Sequence, residues 1–367
     1  MIQKQQPARV NAQTDSSARA TVPLSTAVSK CYRAPLVYDG TPRVYLSGLA
    51  AKKDLDYLDL LRRSGCKHRC FSYCWIAPAD RGGFYHNKQL AEQYQQSIDA
   101  GASVMMDSSA YSFHNWVYKL TGSHQVWHKQ SRAKLTNVED YRHEFLEHYI
   151  AFCEQYGHLW DFYVTFDYVR TPSVVWDMQQ YLEGRGLRPM PIYHGAGDIA
   201  GLERFIDAGH NYIGISGQEE RRNAKRMMFY YDAIFNLAAK RGVYYHGFGV
   251  TSPSQLFRYP WYSVDSSTWG RWAGYGKIAL PDVEFNILSE QRVTEYASYG
   301  RDNRHPRLRR DGTTMDSVRE VVARFGFDLD TLATDLEERL VYNAYIFSHL
   351  AELGFRDSRS IGWKPLL

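Results

Sequence analysis

No stretch of the chain reaches about 18 consecutive apolar residues, which excludes a membrane-spanning helix. The opening residues lack the apolar centre of an export signal, so a cytoplasmic protein is expected. Cysteine is sparse: five in 367 residues, an odd count that argues against a disulfide framework. Cys66, Cys70 and Cys74 form C-x3-C-x3-C, but a zinc or iron–sulfur site takes tighter C-x2-C pairs and a fourth ligand. With residues 69–76 read as a strand, Cys70 and Cys74 share one face, and core positions are expected rather than a metal site. Neither sign of charge is in large excess. A net charge of +4 and a pI near 8.6 permit a nucleic-acid partner without requiring one.

What the chain has in abundance is aromatic side chains, with 28 Tyr, 17 Phe and 9 Trp, inside a 44% apolar composition that supports a large core. The length suits one large domain with additions, or two domains. Residues 1–34, rich in Gln, Ser, Thr and Ala without periodicity, read as a flexible N-terminal arm. From Arg43 a rhythm of short apolar strand, polar tip and helical segment begins. The strands fall at Val44–Ser47, Arg69–Trp75, Ser103–Met106, Phe162–Phe166, Met190–Tyr193, Tyr212–Ile215, Val243–Tyr245 and Tyr262–Val264. Helical patterns intervene at Lys88–Ala100, Val138–Tyr156, Ile199–Ala208 and Ala224–Arg241. Eight alternating units predict an α/β fold, a (β/α)8 TIM barrel spanning 35–300, with an open doubly wound sheet as the alternative. The segment 301–367, basic and then helical, reads either as an extension or as the completion of the outer layer.

The most telling stretch is 243–269, which reads as strand, glycine turn, short helix and strand, with Pro253 in the helix's first turn and Pro260 closing it. It ends on Asp265. A carboxylate at the tip of a buried parallel strand is costly to desolvate, so it is either a helix cap or a functional group. The other tips are also polar: Asp107-Ser108-Ser109, Asp167, His194-Gly195, Ser216-Gly217, His246-Gly247 and Asp265-Ser266. In a barrel these converge on one mouth.

A basic, aromatic insert follows the third strand at Ser112–Asn137, with Trp116, Trp127, Lys129, Arg132 and Lys134. Interleaved bases and rings suit a nucleic-acid backbone and splayed bases, the alternative being a solvated lid. Arg221 and Arg222 follow the sixth strand, and Arg271 follows the eighth. Two patterns mislead. His143 and His148 imitate a zincin helix, but five residues turn about 140° and the rings do not meet at one metal. Gly195, Gly197 and Gly201 imitate a dinucleotide loop but follow the fifth strand rather than the first.

Taken together, the tips resemble the tRNA-guanine transglycosylase superfamily, and most of all its phage-type members that insert 7-deazaguanines into DNA. The resemblance covers about residues 43–290. Its most specific parts are Met106-Asp107-Ser108-Ser109-Ala110-Tyr111, similar to the family's D-S-G-G-F/Y block, and His246–Trp269, similar to its G-V-G…D block. Thr165-Phe166-Asp167 stands at the place of the base-reading aspartate, and Gly214-Ile215-Ser216-Gly217 at the glycine turn. Two departures matter. His194 replaces the usual Gln, and no cysteine follows Cys153 to build the zinc module that grips tRNA. That favours DNA, with tRNA as the alternative partner.

The resemblance implies base exchange, with a free 7-deazaguanine as co-substrate and no cofactor or metal. It makes Asp265 the nucleophile that traps C1′ as a glycosyl-enzyme and Asp107 the proton relay. Asp167 accepts from the N1–H and amine of a guanine-like edge, and Ser108, His194, His246, Gly214 and Gly217 complete the pocket. Tyr111 and Phe248 sandwich the base, and Lys129, Arg132, Lys134, Arg221, Arg222 and Arg271 hold nucleic acid. A phage-encoded protein of this kind works in the bacterial host cytoplasm. The rival readings are a barrel N-glycoside hydrolase using Asp265 and Asp107, and a non-catalytic nucleic-acid-binding barrel.

Overall fold

The computed structural model describes residues 30–33, 36–48, 56–73, 75–76, 84–85, 89–113, 138–167, 172–194, 199–216, 224–250, 252–283, 287–294 and 315–353. Strands buried at successive positions, rather than at alternate ones, ask for cover on both faces. The chain answers with parallel strands and helical crossovers. β1 (Arg43–Leu46) and β2 (His68–Ser72) come first, followed by a short antiparallel pair, β3 (Trp75–Ile76) and β4 (Phe84–Tyr85). Then come β5 (Ser103–Asp107), β6 (Phe162–Tyr163), β7 (Ile192–Tyr193), β8 (Tyr212–Ser216), β9 (Tyr244–Phe248) and β10 (Ser263–Ser266). A hairpin of β11 (Lys277–Asp282) and β12 (Ile287–Arg292) follows.

Eight of these strands form one all-parallel, curled sheet in the order β6-β5-β2-β1-β10-β9-β8-β7. Register is defined by pairs such as Tyr45 with Asp265, Ser72 with Asp107 and Gly214 with His246. One further parallel bridge, Val164 with Met190, joins the residues that follow β6 to those that precede β7. Met190 N donates to the Tyr163 carbonyl at 2.7 Å, and Thr165 N donates to the Met190 carbonyl at 3.0 Å.

Alternation along the strands sorts side chains into two cores. One lies between sheet and helices and takes Val44, Leu46, Met106, Ile213, Tyr245 and Val264. The other is lined by Tyr45, Cys70, Met105, Phe162, Ile192, Tyr212, Tyr244 and Tyr262, drawn from every strand of the sheet or the residue beside it. It is rich in tyrosine, and the hydroxyls find partners: Tyr45 meets Ser103 Oγ at 2.7 Å, and Tyr212 meets Ser263 Oγ at 2.6 Å. Arg43 donates to Tyr32 and Tyr262, lying 4.4 Å over the Tyr262 ring.

Several expected boundaries move. Cys31 and Tyr32 are buried in the second core, so packing begins ahead of residue 34 because these side chains fill space between strands. Residues 1–29 lie outside the described residues. The strand expected at 69–75 stops at Ser72, and Trp75–Ile76 turns away into the β3–β4 pair. β9 runs on to Phe248, which draws His246 from a tip into the strand. Cys66 and Cys70 are buried core thiols, as the strand reading expects. The helix Leu336–Ser348 shares the outer core and packs on β1, β11 and the helices Tyr57–Arg63 and Thr268–Gly274. It completes the layer around the sheet rather than standing apart. Among the described residues no helix is long and apolar enough to cross a membrane.

Asn343 pins this closing helix. Wholly buried, it accepts from Ala279 N at 2.8 Å and donates to the carbonyls of Trp269 at 3.1 Å and Lys277 at 3.0 Å. Asn343→Ala strands three backbone groups, so urea denaturation of the variant is expected to show a loss of about 2–4 kcal/mol.

Candidate active site

Because the eight strands are parallel, their C-terminal ends share one edge, where side chains leave the sheet without disturbing its ladder. Ser47 follows β1, Asp107 ends β5, Asp167 and His194 follow β6 and β7, Phe248 ends β9, and Asp265 lies within β10.

Asp265 is surrounded by donors. Ser47 Oγ donates to Oδ2 at 2.8 Å and Gly249 N donates to Oδ1 at 2.8 Å. His246 Nε2 approaches Oδ1 at 3.6 Å, and the carboxylate keeps 15% exposure. Burial works to raise its pKa, but the His246 ring and the two donors outweigh it and hold the group below the ordinary carboxylate value. Gly249 presents its N–H from a backbone at φ 62°, which glycine adopts freely.

Asp107 lives in the opposite environment. Burial, and next the charge of Asp167, push it up to about 7, with Asp265 adding to the rise and the Ser109 and Ser72 donors opposing it. Ser109 N donates to Oδ2 at 3.0 Å, bending the chain sharply after β5. Ser109 itself sits at φ 63°, the one non-glycine residue at positive φ among the described residues. Such strain costs on the order of 1 kcal/mol and gathers at sites where geometry matters more than stability. Asp167 is met by His194 Nε2 at 2.6 Å from Oδ2, with both side chains nearly buried. Beneath the rim, burial and then the charges of Asp265 and Asp107 push the Cys70 thiol far above its usual range, so it stays protonated and unreactive.

The edge therefore holds three interacting carboxylates whose surroundings separate their roles: one held ionised, one poised near neutrality, one paired with histidine. Two carboxyl groups pushed apart in this way offer one charged oxygen donor and one proton source on the same edge.

The remaining expected residues divide. Gly214 forms a floor under Phe248, since a Cβ there would lie 2.5 Å from the ring. Phe248 is half-buried and packs edge-on to His246, with centroids 4.7 Å apart. Tyr111 stands 60% exposed at the rim, free to meet a flat ligand. Ser108 is fully buried, its Oγ accepting from Ala110 N at 3.4 Å within the turn after β5. His246 is also fully buried, one layer below the tip, and faces Asp265. Arg271 is exposed on the helix after β10. Gly217, Lys129, Arg132, Lys134, Arg221 and Arg222 lie outside the described residues. His148 meets Glu144 at 3.8 Å with both exposed, the solvated face expected of that helix.

Two partners escaped the reading of the sequence. Ser47 was legible as the polar residue ending the first strand, and Gly249 as the second glycine of G-F-G. No protein-family model and no curated protein matches this chain.

The Asp107 carboxyl also marks the fold's pH dependence. Unfolded, it loses its proton near 3.8; folded, near 7. Between these values only the folded chain keeps the proton, so stability falls as pH rises through that window and then levels off. At about 1.4 kcal/mol per pKa unit, Asp107→Asn is expected to gain about 2–4 kcal/mol over wild type at pH 8. Paired denaturation curves at pH 8 and pH 4 check this, with the gain vanishing at the lower pH.

Proposed function

We propose that the curled sheet closes into a (β/α)8 barrel and that its rim is the active site of a DNA-guanine transglycosylase, which exchanges guanine for a 7-deazaguanine such as 7-cyano-7-deazaguanine. The bridge between Val164 and Met190, at the two ends of the strand order, and an inner core fed by all eight strands support closure. The observation that carries the chemistry is the opposed tuning of Asp265 and Asp107 on one edge.

Cleaving an N-glycosidic bond builds positive charge at C1′, and a carboxylate that is ionised in the resting protein stabilises and then captures it. In the first half-reaction an Asp265 oxygen bonds to C1′, the C1′–N9 bond breaks, and the departing guanine takes the Asp107 proton. In the second, the incoming base gives its N9 proton to Asp107, its N9 bonds to C1′, and Asp265 leaves as carboxylate. An acid poised near 7 serves both directions. Asp167 offers two acceptor oxygens to the N1–H and exocyclic amine of guanine, a donor pair that adenine lacks. His194 fixes its orientation. Phe248, on its glycine floor, and Tyr111 offer faces for the base, each stack worth about 1–3 kcal/mol. Drawing the target base out of a duplex costs a few kcal/mol, which such stacking offsets. The preference for DNA over tRNA rests on the lack of cysteines after Cys153.

Incorporation of labelled guanine and 7-cyano-7-deazaguanine into DNA and tRNA, run in parallel with purified protein, tests this reading. Label in DNA alone is expected; label in tRNA alone keeps the chemistry and overturns the partner, and label in neither overturns both. Asp265→Ala is expected to abolish exchange, and Asp167→Asn to weaken discrimination between guanine and adenine. Guanine departure should slow as pH rises through about 7, when Asp107 loses the proton it must give.

A further inference from the structure

His246 is buried completely, one layer below the strand tips, yet it is not an inert core residue. Its Nδ1 lies 2.6 Å from Ser263 Oγ, and Ser263 Oγ lies 2.6 Å from the Tyr212 hydroxyl. Among the described residues its Nε2 has no hydrogen-bond partner, and it faces Asp265 Oδ1 at 3.6 Å. An unpartnered ring nitrogen in a dry core is costly, and here it is aimed at the Asp265 carboxylate.

We propose that Tyr212, Ser263 and His246 form a buried positioning chain for Asp265. This rests on the reading of Asp265 as nucleophile. The Tyr212 O–H donates to Ser263 Oγ, and the Ser263 O–H donates to Nδ1. That order leaves the imidazole proton on Nε2, directed at Oδ1. Rings close the ring of His246 in place: Tyr45 at 6.2 Å, Phe162 at 5.8 Å and Phe248 at 4.7 Å. The groups that face Asp265 are Ser47 from β1, Cys70 from β2, Asp107 from β5, and His246 and Gly249 from β9. Cys70 is a thiol, and Asp107 repels the charge. His246 therefore supplies the balance that keeps the carboxylate charged.

The chain acts most strongly where Asp265 carries full charge. Forming the glycosyl ester removes that charge and weakens the pull of Nε2–H; breaking the ester restores it. His246 thus makes Asp265 a better leaving group in the second half-reaction, and its loss should let the covalent intermediate accumulate.

Glutamine and asparagine separate the two ends of the ring. Gln places an amide nitrogen where Nε2 stands, whereas Asn reaches only as far as Nδ1. In substrate-free protein, the 13C signal of the Asp265 carboxyl, assigned by its loss in Asp265→Asn, is expected to titrate at higher pH in His246→Asn than in wild type. His246→Gln should return it towards the wild-type position, with Ser263→Ala between. In exchange assays His246→Asn should lower kcat by about 10- to 100-fold, the effect of losing the partner that orients a reacting group, while KM stays within about twofold. The acid limb of kcat/KM should move up with the carboxyl.

Equal titration of Asp265 in wild type and His246→Asn overturns the proposal, as does equal behaviour of the Gln and Asn variants. If both fail to fold, Ser263→Ala, which removes a single oxygen, carries the same expectation. Should wild type exchange no base, the functional reading falls, but the carboxyl titration still decides whether His246 governs Asp265.

Discussion

Two carboxylates on one edge of a parallel sheet cannot both be ionised without cost, and the protein resolves this through the donors it places around each. Asp265 receives Ser47, Gly249 and the His246 ring, all brought in by strands adjacent to β10. Asp107 receives the Ser109 N–H and Ser72 against burial and two neighbouring negative charges. In a medium of low effective dielectric, donors outweigh burial at Asp265, whereas burial and neighbouring charge outweigh them at Asp107. The strained turn at Ser109 belongs to the same arrangement, because it is what brings an N–H back onto Asp107.

The inner core makes this possible by being both filled and polar in the right places. Tyrosine supplies bulk to occupy the space between curled strands, together with a hydroxyl that can join a network without a charge. Tyr45 and Tyr212 anchor to serines, Arg43 bonds the lower hydroxyls, and Tyr212 connects through Ser263 to His246 beneath the rim. The rim carboxylates therefore stand on an aromatic floor.

Much of this was legible in the chain. The rhythm of short apolar runs and polar tips located all eight strands of the main sheet, because parallel strands buried on both faces leave only their ends free to be polar. Asp107, Asp167, His194 and Asp265 followed from that logic. The depth of a residue did not. Whether His246 is a tip or an interior residue depends on where β9 stops, and three extra residues reverse the answer. The burial of Ser108 was hidden for a related reason: a turn folds its hydroxyl inward, which composition does not reveal. The β11–β12 hairpin escaped because its outer strand is polar and lightly covered, with little alternation to read. The closing role of Leu336–Ser348 rests on long-range contacts with β1 and β11 that no local pattern announces.

The most direct test of the central claim is a 13C NMR titration of the Asp107 and Asp265 carboxyls in the resting protein, each assigned by its Asn variant. The account predicts that the Asp107 signal moves near pH 7 while Asp265 stays ionised down to below the ordinary carboxylate value near 3.8. Two carboxyls titrating together in the ordinary range would contradict it, because the edge would then hold neither a carboxyl poised near neutrality nor one kept ionised by its donors.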